Sequence, residues 1–169
     1  PKKPRGMPPA KMLSMLLRPS FTARKGKMLV WGDWSAIEAR VLPWLAGSTG
    51  GEAKLDIFRE NDADPNSPDV YVRTGAALNN LDVNEVWAAY LAGDPKAEEI
   101  RQAFGKVPEL SLGFGGGLGA LLAMATNYGV YLDTATAQRV VNDWRNDNGW
   151  AKVFWGGHGR DGSYGLWGA

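Results

Sequence analysis

Cysteine is absent from the 169 residues, so disulfides, thiolate zinc sites and thiol catalysis are excluded. The single histidine, His158, cannot build a multi-histidine metal site. No apolar run approaches the ~20 residues that a membrane-spanning helix needs; Leu118 to Ala125 is too short and is flanked by glycine. The basic start lacks the apolar stretch of a secretory signal. The expectation is a cytoplasmic protein with no membrane partner, one domain's worth of chain and long enough to bury a core.

Acid is missing from residues 1–27, which hold eight cations: Lys2, Lys3, Arg5, Lys11, Arg18, Arg24, Lys25 and Lys27. Residues 28–169 hold the other eleven cations and all eighteen acids, a net of −7 concealed within the overall +1. A basic arm ahead of an acidic chain fits contact with a phosphate backbone from Lys11 onward. Pro1 to Arg5 reads equally well as a solvated, proline-rich linker.

A short apolar run, Met28 to Trp31, reaches Asp33, and a helical pattern starts at once behind it. A carboxylate at the end of a buried strand is costly unless it binds a cation, which makes Asp33 a candidate metal ligand. The same residues also suit a helix N-cap, with Asp33 or Ser35 accepting from the next turn.

Periodicity organises the rest. Lys11 to Leu17 reads as a short helix stopped by Pro19, Met28 to Asp33 as a strand, and Ser35 to Leu45 as a helix despite Pro43. A loop at Gly47 to Gly51 precedes a short helix at Lys54 to Arg59 and a turn-rich insert at Asn61 to Pro68. Helical patterns cover Val70 to Leu78, Val83 to Leu91 and Lys96 to Leu112, the last broken by Gly113 to Gly119. A further helix begins at Leu121 to Ala125, and another spans Thr134 to Arg145 with Thr134 as its cap.

Two motifs fail on inspection. Asp62-x-Asp64-x-Asn66 opens like a calcium loop, but Ser67 stands where glycine is needed and Arg73 where a bidentate glutamate should be. Gly105-Lys106 lacks both the upstream glycine and the following Ser or Thr of a P-loop.

On an α-helix, residues four apart share a face. Gln102, Lys106, Leu110 and Phe114 therefore form one stripe carrying a cation, an apolar residue and an aromatic. That set suits a nucleotide, with ammonium against phosphate and apolar surface against sugar and base. It also suits an ordinary amphipathic helix with a lysine at its edge.

Asp33-Trp-Ser-Ala-Ile-Glu38-Ala-Arg40 resembles motif A of the family A DNA polymerases, the bacterial DNA polymerase I kind, in its bacteriophage form. Seventy-three residues after Asp33, Lys106-Val-Pro-Glu-Leu110-Ser-Leu-Gly-Phe114-Gly115 resembles motif B. Between them, Pro68-Asp69-Val70-Tyr71 and Arg73-Thr74-Gly75-Ala76-Ala77 resemble the linking segment. The resemblance covers about residues 11–155 and implies an α+β, predominantly helical fold: part of a polymerase palm plus helical fingers. It divides the chain into a basic segment at 1–27, a partial palm with motif A at 28–60, fingers with motif B at 61–155 and a glycine-rich tail at 156–169.

The chemistry implied is transfer of a dNTP onto a primer 3′-hydroxyl, with two magnesium ions and primer-template DNA as partner. Asp33 and the carbonyl of Trp34 would be metal ligands. Glu38 would lie under the sugar and exclude a 2′-hydroxyl, supported by Arg40. Lys106 would bind the triphosphate and assist the departing pyrophosphate. Phe114 would stack at the templating position beside Gly115. Tyr71 stands where the family often has a phosphate-contacting histidine.

Departures are equally specific. Gln102 occupies the place of an arginine four before the motif B lysine, and Leu110 that of a ring that packs on the sugar. Arg101 lies five before Lys106, about 140° round a regular α-helix, so only a helix start or a bulge would bring both to one ligand. Pro108 should kink the helix, at roughly 3 kcal/mol in isolation. No counterpart of the third motif, which supplies the second metal-binding carboxylate, is found. The expectation is therefore a chain inactive alone, completed by a second chain or by domains supplying that motif and the thumb. The alternatives are a non-catalytic nucleotide- or DNA-binding module, a subunit of a split polymerase, and an unrelated helical interaction protein.

Overall fold

The computed structural model describes residues 9–156. Lys2, Lys3, Arg5 and the tail with His158 lie outside the described residues, as do the side chains of Lys11 and Arg18. The chain divides into two compact units, one ending at Ser35 and the other beginning at Ala36.

In the first unit, α1 (Pro9–Ser20) extends beyond the expected Lys11 to Leu17 and runs through Pro19. A proline in the last turn removes a single helix bond, and the Ser20 hydroxyl donates to the Leu17 carbonyl at 2.6 Å. A turn follows, with the Lys27 N–H on the Arg24 carbonyl at 2.9 Å. The strand expected over Met28 to Asp33 does not form, which corrects the α+β class. All regular structure among the described residues is helical. Strand N–H and C=O groups need a neighbouring strand, and no described segment offers one. Met28, Val30 and Trp31 are left 83, 85 and 74% exposed. Asp33 is likewise exposed rather than set at the end of a buried strand.

The second unit opens with α2 (Ile37–Ala46), which contains Pro43 as expected. Its N-cap position is Ala36, left-handed at φ 50°, and no side chain caps it. The expected loop shrinks to Gly47 and Ser48, because the Ser48 hydroxyl accepts the Gly51 N–H at 3.2 Å and starts α3 (Thr49–Ala63) early. Both α4 (Val70–Leu78) and α5 (Val83–Leu91) have the expected limits. Aspartates fix those starts: Asp69 accepts from Val72 N–H at 2.8 Å, and Asp82 from Asn84 and Glu85 at 2.9 and 3.0 Å.

The long motif B helix is α6 (Pro95–Glu99), a π-helical segment (Ile100–Lys106) and α7 (Val107–Leu112) in unbroken succession. Asp94 caps it, with Pro95 in the first turn. The Val107 N–H bonds back five residues to the Gln102 carbonyl, the π pattern. This wide turn lies directly before Pro108, where a regular helix would meet both a missing donor and a ring clash. After α8 (Leu118–Asn127) come α9 (Thr134–Asp147) and α10 (Gly149–Trp155). The α9 cap is Asp133 rather than Thr134: its carboxylate accepts the Thr136 hydroxyl at 2.6 Å and the Thr136 N–H at 2.9 Å. Those two bonds hold the Asp133 carboxyl below its usual range.

Helix α4 lies at the heart of this unit, with Val70, Tyr71, Val72, Gly75, Ala76 and Leu78 all buried. Val70 and Tyr71 join Ala39 and Phe58; Val72 and Ala76 join Val86 and Ala97; Leu78 joins Val107, Leu112, Leu121 and Trp144. Its contact with the π segment is backbone to backbone. A Cβ at Gly105 would lie 2.0 Å from the Tyr71 carbonyl oxygen, and one at Gly75 would lie 2.6 Å from that of Ile100.

Candidate functional site

Asp33 and Trp34 belong to the first unit. Asp33 lines an open cleft of ≈ 590 Å³ with Phe21, Leu29, Val30, Trp31 and Gly32, and Trp34 is 80% exposed. Among the described residues no three His, Asp or Glu side chains converge as a metal cage. Magnesium takes near-octahedral oxygen ligation, so one carboxylate and one carbonyl are an incomplete set. The described residues do not form a two-metal site.

The remaining candidates are in the second unit. Glu38 is exposed in the first turn of α2. Ala39, its neighbour, packs with Val70 and Tyr71, which brings the Glu38 carboxylate within electrostatic reach of the Tyr71 phenol. Arg40 grips Asp62 of α3 through two bonds of 2.7 and 2.8 Å and lies 4.4 Å over the Phe58 ring.

Tyr71 is buried, and burial first, then the Glu109 and Asp69 carboxylates, pushes its phenol up to about 12. Arg101 opposes that shift. Its Nε and Nη2 donate to one oxygen of Asp69 at 2.9 and 2.7 Å. The guanidinium is 5.3 Å from the Tyr71 ring and 5.0 Å from the Tyr90 ring. Asp69 thus caps α4 with one oxygen and clamps Arg101 with the other.

The π segment changes the expected stripe. Its five-residue bonding pattern brings Arg101 round towards Lys106. The two cations nonetheless meet different partners: Arg101 meets Asp69, whereas the Lys106 ammonium lies 5.1 Å from the centroid of the Tyr128 ring. Gln102 and Leu110 are half-buried. Phe114, just past α7, is 58% exposed, and Gly115 turns the chain at φ 82°.

Sequence reasoning missed Glu109. Its buried carboxylate takes the Lys54 ammonium on both oxygens at 2.7 Å, and one of those oxygens also accepts Thr74 Oγ1 at 2.8 Å and Trp144 Nε1 at 3.0 Å. Lys54 also donates to Asn148 Oδ1 at 3.2 Å, and Asn148 returns its amide to the Trp144 carbonyl at 2.9 Å. Four helices, α3, α4, α7 and α9, are pinned together one turn from Lys106. The signal was present: Glu109 is the lone charged residue between Lys106 and Asp133.

No family model matches the chain. No solved structure matches it either. Over 145 residues, 85% of its length, it is 34% identical to a protein named DNA polymerase from Bacillus phage SP02, of which it spans only 19%.

Proposed function

We propose that this chain is the motif A to motif B segment of a bacteriophage-type family A DNA polymerase, comprising part of the palm and most of the fingers. The observation that carries this reading is the 34% identity to the phage SP02 DNA polymerase across 85% of the chain. Because the match takes in 19% of that protein, the remaining parts of the active site belong to segments outside it.

In this reading α2 presents Glu38 beneath the incoming sugar, and the π segment and α7 present the nucleotide-binding face. Lys106, which joins none of the ion pairs among the described residues, offers its charge to the triphosphate. The Tyr71 phenol, protonated near neutrality as any tyrosine is, is a hydrogen-bond donor towards phosphate, and Phe114 offers an exposed ring to a base. Asp33 supplies one carboxylate to a magnesium site whose other carboxylates come from outside this chain. Magnesium, when bound, would supply Lewis-acid activation of the primer hydroxyl. The chain alone is proposed to be inactive in extension.

A chimera tests this. Residues of this chain replace the matching segment of the SP02 polymerase, and primer extension is assayed with magnesium and dNTPs. Extension that is abolished by Asp33→Asn supports the reading. A folded chimera that extends no primer, or that is indifferent to Asp33→Asn, overturns it. Extension by the isolated chain would overturn the proposed inactivity.

A further inference from the structure

We infer that Tyr128 is the positioning residue for Lys106: its ring holds the ammonium in place for a triphosphate without neutralising its charge. This rests on the reading of Lys106 as a phosphate-binding residue and assigns a role to a residue outside both motifs.

Lys106 is the last residue of the π segment and is half-buried, with its ammonium 5.1 Å from the centroid of the Tyr128 ring. No described carboxylate pairs with it, although four other cations of this unit, Arg40, Lys54, Arg73 and Arg101, are each matched to an acid on another helix or at its cap. The difference has a chemical consequence. A carboxylate partner would compete with an incoming phosphate and would have to be displaced. An aromatic face attracts an ammonium through its quadrupole but leaves its N–H donors free for a second, anionic partner.

Tyr128 is seated firmly enough to do this. It closes α8, and its N–H bonds to the Met124 and Ala125 carbonyls at 3.0 and 3.1 Å. Gly129, at φ 71°, then turns the chain so that the Val130 N–H reaches the Ala125 carbonyl at 2.9 Å. This is a helix C-terminal cap of the Schellman kind, and glycine is the residue that such a turn favours. Ala125 and Leu121 on the same helix are fully buried against the core. The ring therefore sits on a fixed element, and the lysine beside it loses rotamer freedom before any ligand arrives. Such preorganisation raises affinity without adding a contact to the ligand.

The test measures binding of dATP, and separately of inorganic tripolyphosphate, to the whole chain and three variants. Lys106→Ala is expected to weaken both by tenfold or more, roughly the loss of a charged hydrogen bond. Tyr128→Leu is expected to weaken both by about three- to tenfold, and Tyr128→Phe, which keeps the ring, to stay within about twofold. If Lys106→Ala binds weakly while Tyr128→Leu matches wild type, the role of Tyr128 is overturned and that of Lys106 stands. If Lys106→Ala binds as wild type does, or wild type binds neither ligand, the phosphate reading of Lys106 fails and the inference with it. A ligand-free measurement guards against misfolding: the Lys106 ε-methylene protons should be shifted upfield by the Tyr128 ring current, retained in Tyr128→Phe and lost in Tyr128→Leu. An unshifted signal in a folded wild-type chain would also overturn the inference.

Discussion

Lys54 on α3 and Glu109 on α7, 55 positions apart in sequence, form a buried ion pair in which one ammonium meets both carboxylate oxygens at 2.7 Å. Both side chains are buried, so the pair depends on its bonds to Thr74, Trp144 and Asn148. Removing one partner strands the other. Lys54→Met or Glu109→Gln alone should each cost about 3–5 kcal/mol. The double variant Lys54→Met with Glu109→Gln should lie closer to wild type than either single, since the glutamine oxygen still accepts from Trp144 and Thr74. Urea unfolding of the four proteins checks this; additive losses would mean that the two charges are not coupled.

Gly105 is the point at which the motif B helix touches α4. A methyl group there would meet the Tyr71 carbonyl at 2.0 Å, so two backbones would have to separate. Gly105→Ala should destabilise by about 3 kcal/mol or more, at the high end for a single substitution. At Gly119, where a Cβ meets nothing within 4 Å, the same change should be neutral or slightly favourable. Thermal melts of the two variants make the comparison, and similar losses in both would refute it.

These helices differ in how far the sequence exposed them. The limits of α4 and α5 were legible because apolar periodicity and the capping residues Asp69 and Asp82 agree on where each helix starts. Thr134 was misjudged by one position, since Asp133 is the stronger cap and lies immediately before it. The Met28 to Asp33 strand was not decidable locally: its apolar run is real, but a ladder needs a second strand that no described segment provides. The π segment was visible only as a problem, a proline inside a helical pattern and an arginine at the wrong spacing. At the candidate site, motif spacing identified Tyr71, Arg101 and Lys106 as residues of interest. Their partners Asp69, Tyr90 and Tyr128 arise from packing that one helix's periodicity cannot reveal.

Asp69 performs two tasks that a pair of substitutions can separate. Asparagine keeps the cap to the Val72 N–H but removes the charge facing Arg101. Alanine removes both. Loss of a cap costs about 1 kcal/mol and loss of a bond to a charged group about 1.5–3 kcal/mol. Asp69→Ala should therefore be less stable than Asp69→Asn by roughly 1 kcal/mol in urea unfolding. Equal losses would show that capping contributes nothing here.

Tyr71 gives the protein an alkaline limit. Its phenol is buried near the Glu109 and Asp69 carboxylates, which raises its folded-state value to about 12 from an ordinary 10.0. Above pH 10 the unfolded chain releases this proton while the folded chain keeps it. The contribution of Tyr71 to stability is thus fully present below pH 10, declines between pH 10 and about 12, and is lost above that. The decline for this group alone is of the order of 2–3 kcal/mol. Tyr71→Phe should flatten that part of the stability profile while leaving the profile below pH 9 parallel to wild type. Ultraviolet titration of the folded protein should show one phenolate forming late among the five tyrosines, and that late step should vanish in Tyr71→Phe. A late step that persists in the variant would place the late-ionising phenol at another tyrosine.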